Sequence, residues 1–278
     1  MPINGATELY GIMGHPVGHS LSPAMHNAAF RHLGLNKVYV PFPALDAAAA
    51  IQGFKALGVK GVSVTIPHKQ AVMEHLDAID PLAAKIGAVN TLVIEAGHVL
   101  GLNTDWLGAT TALKQLTALS EKKVLLLGAG GSARAIGFGL LEEGASLTLA
   151  SRTPAKGEAL ARALDCPWVA LEKAATLKAD ILINATSVGM GSDSEESPIA
   201  RAALAHFGLV MDIVYAPLET RLLREAKAAG CRTINGLAML LYQGVAQFER
   251  WTGHEAPVEV MRQQLLARMT GAQLNSGR

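Results

Sequence analysis

The sequence predicts an α/β protein of two domains, and three features carry that expectation. Apolar runs alternate with stretches of helical spacing along the whole 278 residues. A glycine-rich turn, Gly128-Ala129-Gly130-Gly131-Ser132-Ala133-Arg134-Ala135, follows the continuous run Val124-Leu125-Leu126-Leu127 in mid-chain and opens a helix-like stretch reaching Glu143. Half of the residues are hydrophobic and only 17% are charged, which is enough apolar surface for two cores of ordinary size.

Taken in order, residues 9–13, 38–42 and 62–66 read as strands, with helical stretches at 23–33 and 45–57 between them. Residues 88–94 and 99–102 form a strand pair turning at Ala96-Gly97. After the glycine turn, Ser146-Leu147-Thr148-Leu149-Ala150 arrives one helix later and completes a βαβ unit. Residues 181–184 and 209–213 are further strands reached through helical stretches, as a doubly wound sheet requires. The stretch after Asn235-Gly236 carries no charge from Thr233 to Phe248 and suits a buried helix; residues 257–269 read as an amphipathic helix returning to the first domain, and residues 270–278 are expected to fray.

Several classes are excluded at once. Residues 9–30 lack Lys, Arg, Asp and Glu but hold His15, His19, His26 and two prolines, so they do not read as a membrane span. The first cation, Arg31, lies too late for the basic start of a signal peptide. Cys166 and Cys231 are too few for a disulfide framework or a metal site, so a cytoplasmic setting without a metal is expected. A formal net charge of +1 without a basic patch gives no sign of a nucleic-acid partner.

The glycine turn points to a dinucleotide. Glycines after a buried strand let backbone N–H groups and a helix N-terminus approach a pyrophosphate, and Ala133 is a tolerated residue at the third small position of that fingerprint. An ordinary tight strand-to-helix turn is the alternative. The end of the next strand then chooses the nucleotide. NAD sites place a carboxylate there, about 20 residues past the glycines, whereas NADP sites need a cation. Here stand Ser151, Arg152 and Thr153, and the next carboxylate is Glu158. Arg152 suits a 2′-phosphate with its planar fork, unless it is simply a solvated loop cation. NADP is therefore expected in a Rossmann-like domain at residues 106–238, a substrate-binding catalytic domain at 1–105, and C-terminal helices at 239–278 packing back on the latter.

In the first domain, Gly18-His19-Ser20-Leu21-Ser22-Pro23 precedes a helix, with Ser22 as the expected N-cap. Two hydroxyls there could receive a carboxylate, helped by about 0.3–1 kcal/mol from the helix dipole; Ser20 reads equally well as an ordinary loop residue. Val64-Thr65-Ile66-Pro67-His68-Lys69 ends a strand in a proline turn that presents Thr65 and Lys69, Asn90-Thr91 adds an amide and a hydroxyl, and Asn103-Thr104-Asp105 adds a carboxylate. Reduction of a carbonyl needs one proton donor at the receiving oxygen, which a lysine beside a carboxylate can supply. Composition alone does not choose this pair, since a lysine at a strand end is usually a solvated charge.

Together these segments resemble the shikimate/quinate dehydrogenase family over the whole length, in an order that also includes Gly87-Ala88-Val89-Asn90-Thr91, Asn184-Ala185-Thr186-Ser187-Val188-Gly189-Met190, Asp212-Ile213-Val214-Tyr215-Ala216-Pro217 and Asn235-Gly236-Leu237 with Gln243. The resemblance implies NADP-linked interconversion of shikimate and 3-dehydroshikimate, a step of aromatic amino-acid (chorismate) biosynthesis, in a cytoplasmic protein for which a homodimer is one assembly. Lys69 would exchange the proton at the reacting oxygen with Asp105 beside it. Asn90, Thr65 and Gln243 would bind ring hydroxyls, and Ser20, Ser22 and Tyr215 the carboxylate. Gly128, Ala129, Gly130, Gly131, Ser132 and Ala133 would line the pyrophosphate, Ser151, Arg152 and Thr153 the 2′-phosphate, and Thr186, Val188, Met190, Val214 and Gly236 the nicotinamide.

Two positions depart from the family pattern: Ser63 and Ser151 stand where it usually has Asn. Ser151 keeps a hydroxyl donor. Ser63 lacks an amide, so weaker substrate affinity or admission of a larger acid such as quinate is expected. The rival readings are accordingly a quinate or aminoshikimate dehydrogenase using NAD or NADP, and a non-catalytic protein that senses such acids or the nucleotide.

Overall fold

The computed structural model describes residues 3–191 and 194–275, and the chain divides into two compact units, Met1–Thr104 with Gln243–Arg278, and Asp105–Tyr242. Each is an α/β sheet domain. Of the stretch expected to fray, residues 270–275 continue a helix, and 276–278 lie outside the described residues.

The first unit is built on strands β1 (Glu8–Gly14), β2 (Lys37–Pro43), β3 (Gly61–Val64), β4 (Ala78–Ile79), β5 (Thr91–Glu95) and β6 (His98–Leu102), with helices α1 (Ser22–His32), α2 (Ala47–Ala56) and α3 (Pro81–Ile86) between them. Its sheet order is β2-β1-β3-β5-β6-β4. The first three strands are parallel, and β5 runs antiparallel to β3 and β6. The β5–β6 hairpin turns at Ala96 and Gly97, both at positive φ, which matches the right-handed twist of the strands it joins. The strand expected at 62–66 stops at Val64, because Thr65–His68 closes a turn around the cis Ile66–Pro67 bond.

Alternation along the strands sorts side chains between the two faces of this sheet. Met13, Val62, Val64 and Leu92 are buried on one face with Ile51 and Phe54 of α2; each large apolar side chain so buried stabilises by about 1.5–3 kcal/mol. Tyr10, Tyr39 and Ser63 have the opposite parity. That second face meets α1 and a long C-terminal helix in a ring cluster of Tyr10, His26, Phe30, Tyr39, Phe248 and Trp251.

His26 has no exposed surface and stacks on Tyr39 at 4.5 Å and 16°. Burial pushes its pKa down to about 3, so the folded protein holds it neutral. The unfolded chain takes up a proton near 6.5, so this contribution to stability is full above about pH 6.5 and is lost as pH falls toward 3. His26→Phe is expected to gain about 2 kcal/mol on the wild type between about pH 7 and pH 5 in urea unfolding. An unchanged stability difference at the two pH values would contradict a buried neutral imidazole.

The second unit carries β7 (Lys123–Leu127), β8 (Ser146–Ser151), β9 (Trp168–Ala170), β10 (Ile181–Asn184), β11 (Leu209–Asp212) and β12 (Arg232–Ile234), with α4 (Asp105–Lys114), α5 (Gly131–Glu142), α6 (Pro154–Ala163) and α7 (Arg221–Ala228) among them. Every pairing is parallel, in the order β12-β11-β10-β7-β8-β9. This is the doubly wound dinucleotide-binding order, whose direction reverses between β7 and β10. Val124 to Leu127 are at most 1% exposed, as a strand covered by helices on both sides requires.

Helix α8 (Gly236–Thr252) leads from the second unit into the first, and α9 (Val258–Asn275) packs on α1 in the first. Met261, Leu265 and Met269 form the buried stripe of α9. No described helix is long and apolar enough to cross a membrane.

Candidate active site

In the first unit, backbone hydrogen bonds gather three of the expected residues. Thr65 N–H donates to the Met13 carbonyl, Val64 N–H to the Asn90 carbonyl at 2.7 Å, and Val89 N–H to the Lys69 carbonyl at 2.7 Å. Buried His68 places Nε2 2.8 Å from the Ala44 carbonyl and so plugs the turn that carries Lys69. His15 N–H donates to the Ile66 carbonyl, bringing the Ser20 loop to the same strand ends.

Ser22 departs from its expected place. Leu21 in the αR region occupies the cap position, and Ser22 is the first helical residue, buried at 2% exposure. Its N–H donates to Ser20 Oγ at 3.3 Å, and no side chain caps the helix.

Asn90 is held from several sides. Thr104 N–H donates to its Oδ1 at 2.8 Å, as does the Thr91 hydroxyl at 2.7 Å, while its Nδ2 donates to Thr104 Oγ1 at 3.0 Å and Gln243 Oε1 at 3.4 Å. Gln243 reaches this point because α8 lies close on α1: a Cβ on Gly244 would collide with the end of Met25. Asp105 and Tyr215, expected with these residues, belong to the second unit. Asp105 follows Thr104 directly, opens α4 and is 4% exposed.

Ser63 does not behave as a merely shortened Asn. Its hydroxyl accepts from Tyr39 Oη at 2.6 Å and donates to Gln247 Oε1 at 2.8 Å. Gln247, fully buried one helical turn beyond Gln243, was not foreseen from the sequence, although the absence of charge around it marked that helix as buried.

In the second unit the glycine turn has the shape a pyrophosphate needs. Gly128 has φ +119°, and a Cβ there would lie 2.8 Å from the Ala185 carbonyl oxygen, at the point where strand order reverses. Gly130 has open space where its Cβ would be and precedes α5, which no side chain caps; Ala133 is fully buried under the helix. At the end of β8, Ser151 is buried and its hydroxyl accepts from Trp168 Nε1 at 3.0 Å and donates to the Thr153 carbonyl, while Arg152 and Thr153 are exposed. Ser151 thus shapes the turn that presents the other two. These residues fit a phosphorylated dinucleotide: a cradle closed to side chains, a helix start, and an exposed guanidinium with no carboxylate at the strand end.

The two loops expected at the nicotinamide are tied to one buried acid. Asp212 accepts from Thr220 Oγ1 at 2.7 Å, Asn184 Nδ2 at 2.9 Å and Val214 N–H at 3.0 Å. Burial pushes its carboxyl up to about 6 while those donors pull the other way. Asn184 in turn accepts from Thr186 and donates to the Val188 carbonyl. The loop bearing Thr186, Val188 and half-exposed Met190 is thereby fixed to that bearing Val214 and Tyr215. Gly236 fits tightly against the carbonyl of Ile213.

Comparison with known proteins follows the same division of the chain. Residues 12–92 match the shikimate dehydrogenase substrate binding domain, 110–199 the shikimate/quinate 5-dehydrogenase family and 236–266 the shikimate 5′-dehydrogenase C-terminal domain. A shikimate dehydrogenase (NADP(+)) from Methanothermobacter thermautotrophicus is 49% identical over 275 residues, 95% of this chain and 97% of that protein. A crystal structure of a shikimate dehydrogenase with NADP+ superposes with a TM-score of 0.91 at 43% identity, covering 96% of this chain and 98% of the other. Shikimate 5-dehydrogenase from Thermus thermophilus, in complex with NADP(H) and shikimate, gives 0.87 at 39% identity and covers 94% and 99%. Identity near one half along almost the entire length, on the same two-domain α/β architecture, shows that the chain belongs to the shikimate dehydrogenase family.

Proposed function

We propose that the chain catalyses the reversible, NADP-linked reduction of 3-dehydroshikimate to shikimate in the cytoplasm, as a step of aromatic amino-acid biosynthesis. The observation that carries this reading is the set of Thr65, Lys69, Asn90 and Gln243 on one unit, in a chain nearly half identical to a shikimate dehydrogenase (NADP(+)). The bound cofactor supplies the hydride. Lys69 gives its ammonium proton to the oxygen that becomes the hydroxyl, and takes it back in the oxidative direction. Asp105 provides the carboxylate that orients the lysine. Thr65, Asn90 and Gln243 bind ring hydroxyls, and Ser20, Ser22 and Tyr215 hold the carboxylate. Gly128 to Ala133 hold the pyrophosphate, and Thr186, Val188, Met190, Val214 and Gly236 wall the ring so that it is aligned for transfer. A homodimer is one assembly compatible with this reading.

Incubating the purified protein with 3-dehydroshikimate and NADPH tests the reading, with shikimate as the expected product; recovery of unchanged 3-dehydroshikimate would overturn it. Cofactor choice rests on Arg152. Arg152→Ala is expected to raise the KM for NADP by about 10- to 100-fold, the loss of one or two charge-assisted hydrogen bonds, while the KM for NAD stays within about twofold. Equal effects on both nucleotides would remove Arg152 from the 2′-phosphate site.

A further inference from the structure

The polar side chains on the inner face of the first sheet form one continuous series whose donor direction can be worked out. Tyr39 on β2, Ser63 on β3 and Thr91 on β5 share that face: Tyr10 pairs with Tyr39, Ile12 with Ser63, and Ser63 with Thr91. Gln247 of α8 lies over them. Two backbone groups with only one possible role fix the direction. The Asn90 carbonyl can only accept, and Gln247 lies 3.1 Å from it, so Gln247 turns Nε2 toward it and toward Thr91 Oγ1 at 2.9 Å. Gln247 Oε1 then faces Ser63, so Ser63 must donate to it. Ser63 therefore accepts from Tyr39. At the other end, Thr104 N–H can only donate, which makes the atom it meets Asn90 Oδ1. Thr91 then donates to Oδ1, and Asn90 Nδ2 donates onward to Gln243 Oε1. Every donor in this series points the same way, from Tyr39 to Gln243.

We propose that Tyr39, Ser63 and Gln247 are positioning residues for substrate recognition: their one-way hydrogen-bond chain sets the amide orientations of Asn90 and Gln243. The inference rests on the assignment of Asn90 and Gln243 to ring hydroxyls. It explains why a serine works at position 63. A hydroxyl accepts and donates through a single small atom, which a site between the Tyr39 and Gln247 side chains, 5% exposed, requires. It also makes Gln243 an oriented amide whose Oε1 is committed to Asn90, so its Nε2 is the atom turned away from that contact.

The test compares wild type, Gln247→Met, Tyr39→Phe and Asn90→Ala, with the Asn90→Ala/Gln247→Met double variant, in steady-state oxidation of shikimate by NADP. Thermal unfolding establishes that each variant is folded, and Tyr39→Phe, which removes one oxygen, keeps the test alive if Gln247→Met does not fold. Gln247→Met is expected to raise the KM for shikimate roughly tenfold and Tyr39→Phe about threefold, with the KM for NADP within about twofold. The double variant is expected to be no worse than Asn90→Ala alone, because Gln247 acts through Asn90. A KM for shikimate within twofold of wild type in the folded variants, or effects that multiply in the double variant, would overturn the inference alone. Failure of the wild type to oxidise shikimate would overturn the functional reading and this inference with it.

Discussion

Replacing Lys69 by alanine is expected to lower kcat by about 10²- to 10⁴-fold, the usual contribution of a positioned acid or base, while shikimate binding measured by calorimetry changes little. The split follows from where Lys69 stands. Its backbone is held by the Val89 N–H and its turn by His68 on the Ala44 carbonyl, so truncating the side chain leaves Thr65, Asn90 and Gln243 on their own supports. Wild-type turnover in Lys69→Ala would remove the lysine from the chemistry; a large loss of shikimate affinity would make it chiefly a binding residue.

Gly128→Ala is expected to destabilise the protein by about 2–4 kcal/mol and to weaken NADP binding at least tenfold. Two penalties combine at this position. An L-residue rarely adopts φ +119°, and its Cβ would press on the Ala185 backbone, with the carbonyl oxygen at 2.8 Å and the carbonyl carbon at 3.0 Å. Neither neighbour is a side chain that can swing aside. The change also falls where Leu127 and Asn184 are paired at the ends of β7 and β10, so relief of the clash moves the strand ends between which the nucleotide would sit. Urea unfolding and NADP titration of the variant check both parts, and wild-type values in both would show that the turn tolerates a side chain.

What the sequence made legible was local. The unbroken Val124-to-Leu127 run, the glycines after it and the strand ending at Arg152 specify a βαβ unit through periodicity and turn chemistry within a few dozen residues. Ala96-Gly97 gave the hairpin for the same reason. Strands β4, β9 and β12 escaped because two or three residues carry no period, and they are strands only through the neighbour they pair with. Ser22 misled because a serine before proline suits an N-cap, whereas here the helix begins at Ser22 itself and Leu21, already in the αR region, takes the cap position.

The supports of the site were harder to see than its reactive groups. Ser63 and Gln247 are bonded across 184 positions, and nothing near either residue announces the other. Asp212 reads as the end of a strand, yet it gathers Asn184 from the end of β10 and Val214 and Thr220 from the loop after β11. Ser63 could be recognised as a departure, but its meaning depended on Tyr39 and Gln247. A residue that loses an amide from a binding surface weakens it; one that joins two partners in a buried chain is part of the scaffold.

The most direct test of the account is the initial rate of cofactor reduction by the purified protein with shikimate or quinate, each paired with NADP or NAD. The account predicts the highest kcat/KM for shikimate with NADP, by at least about tenfold over each other pairing. Reduction only with quinate, or no reduction in any pairing, would contradict it.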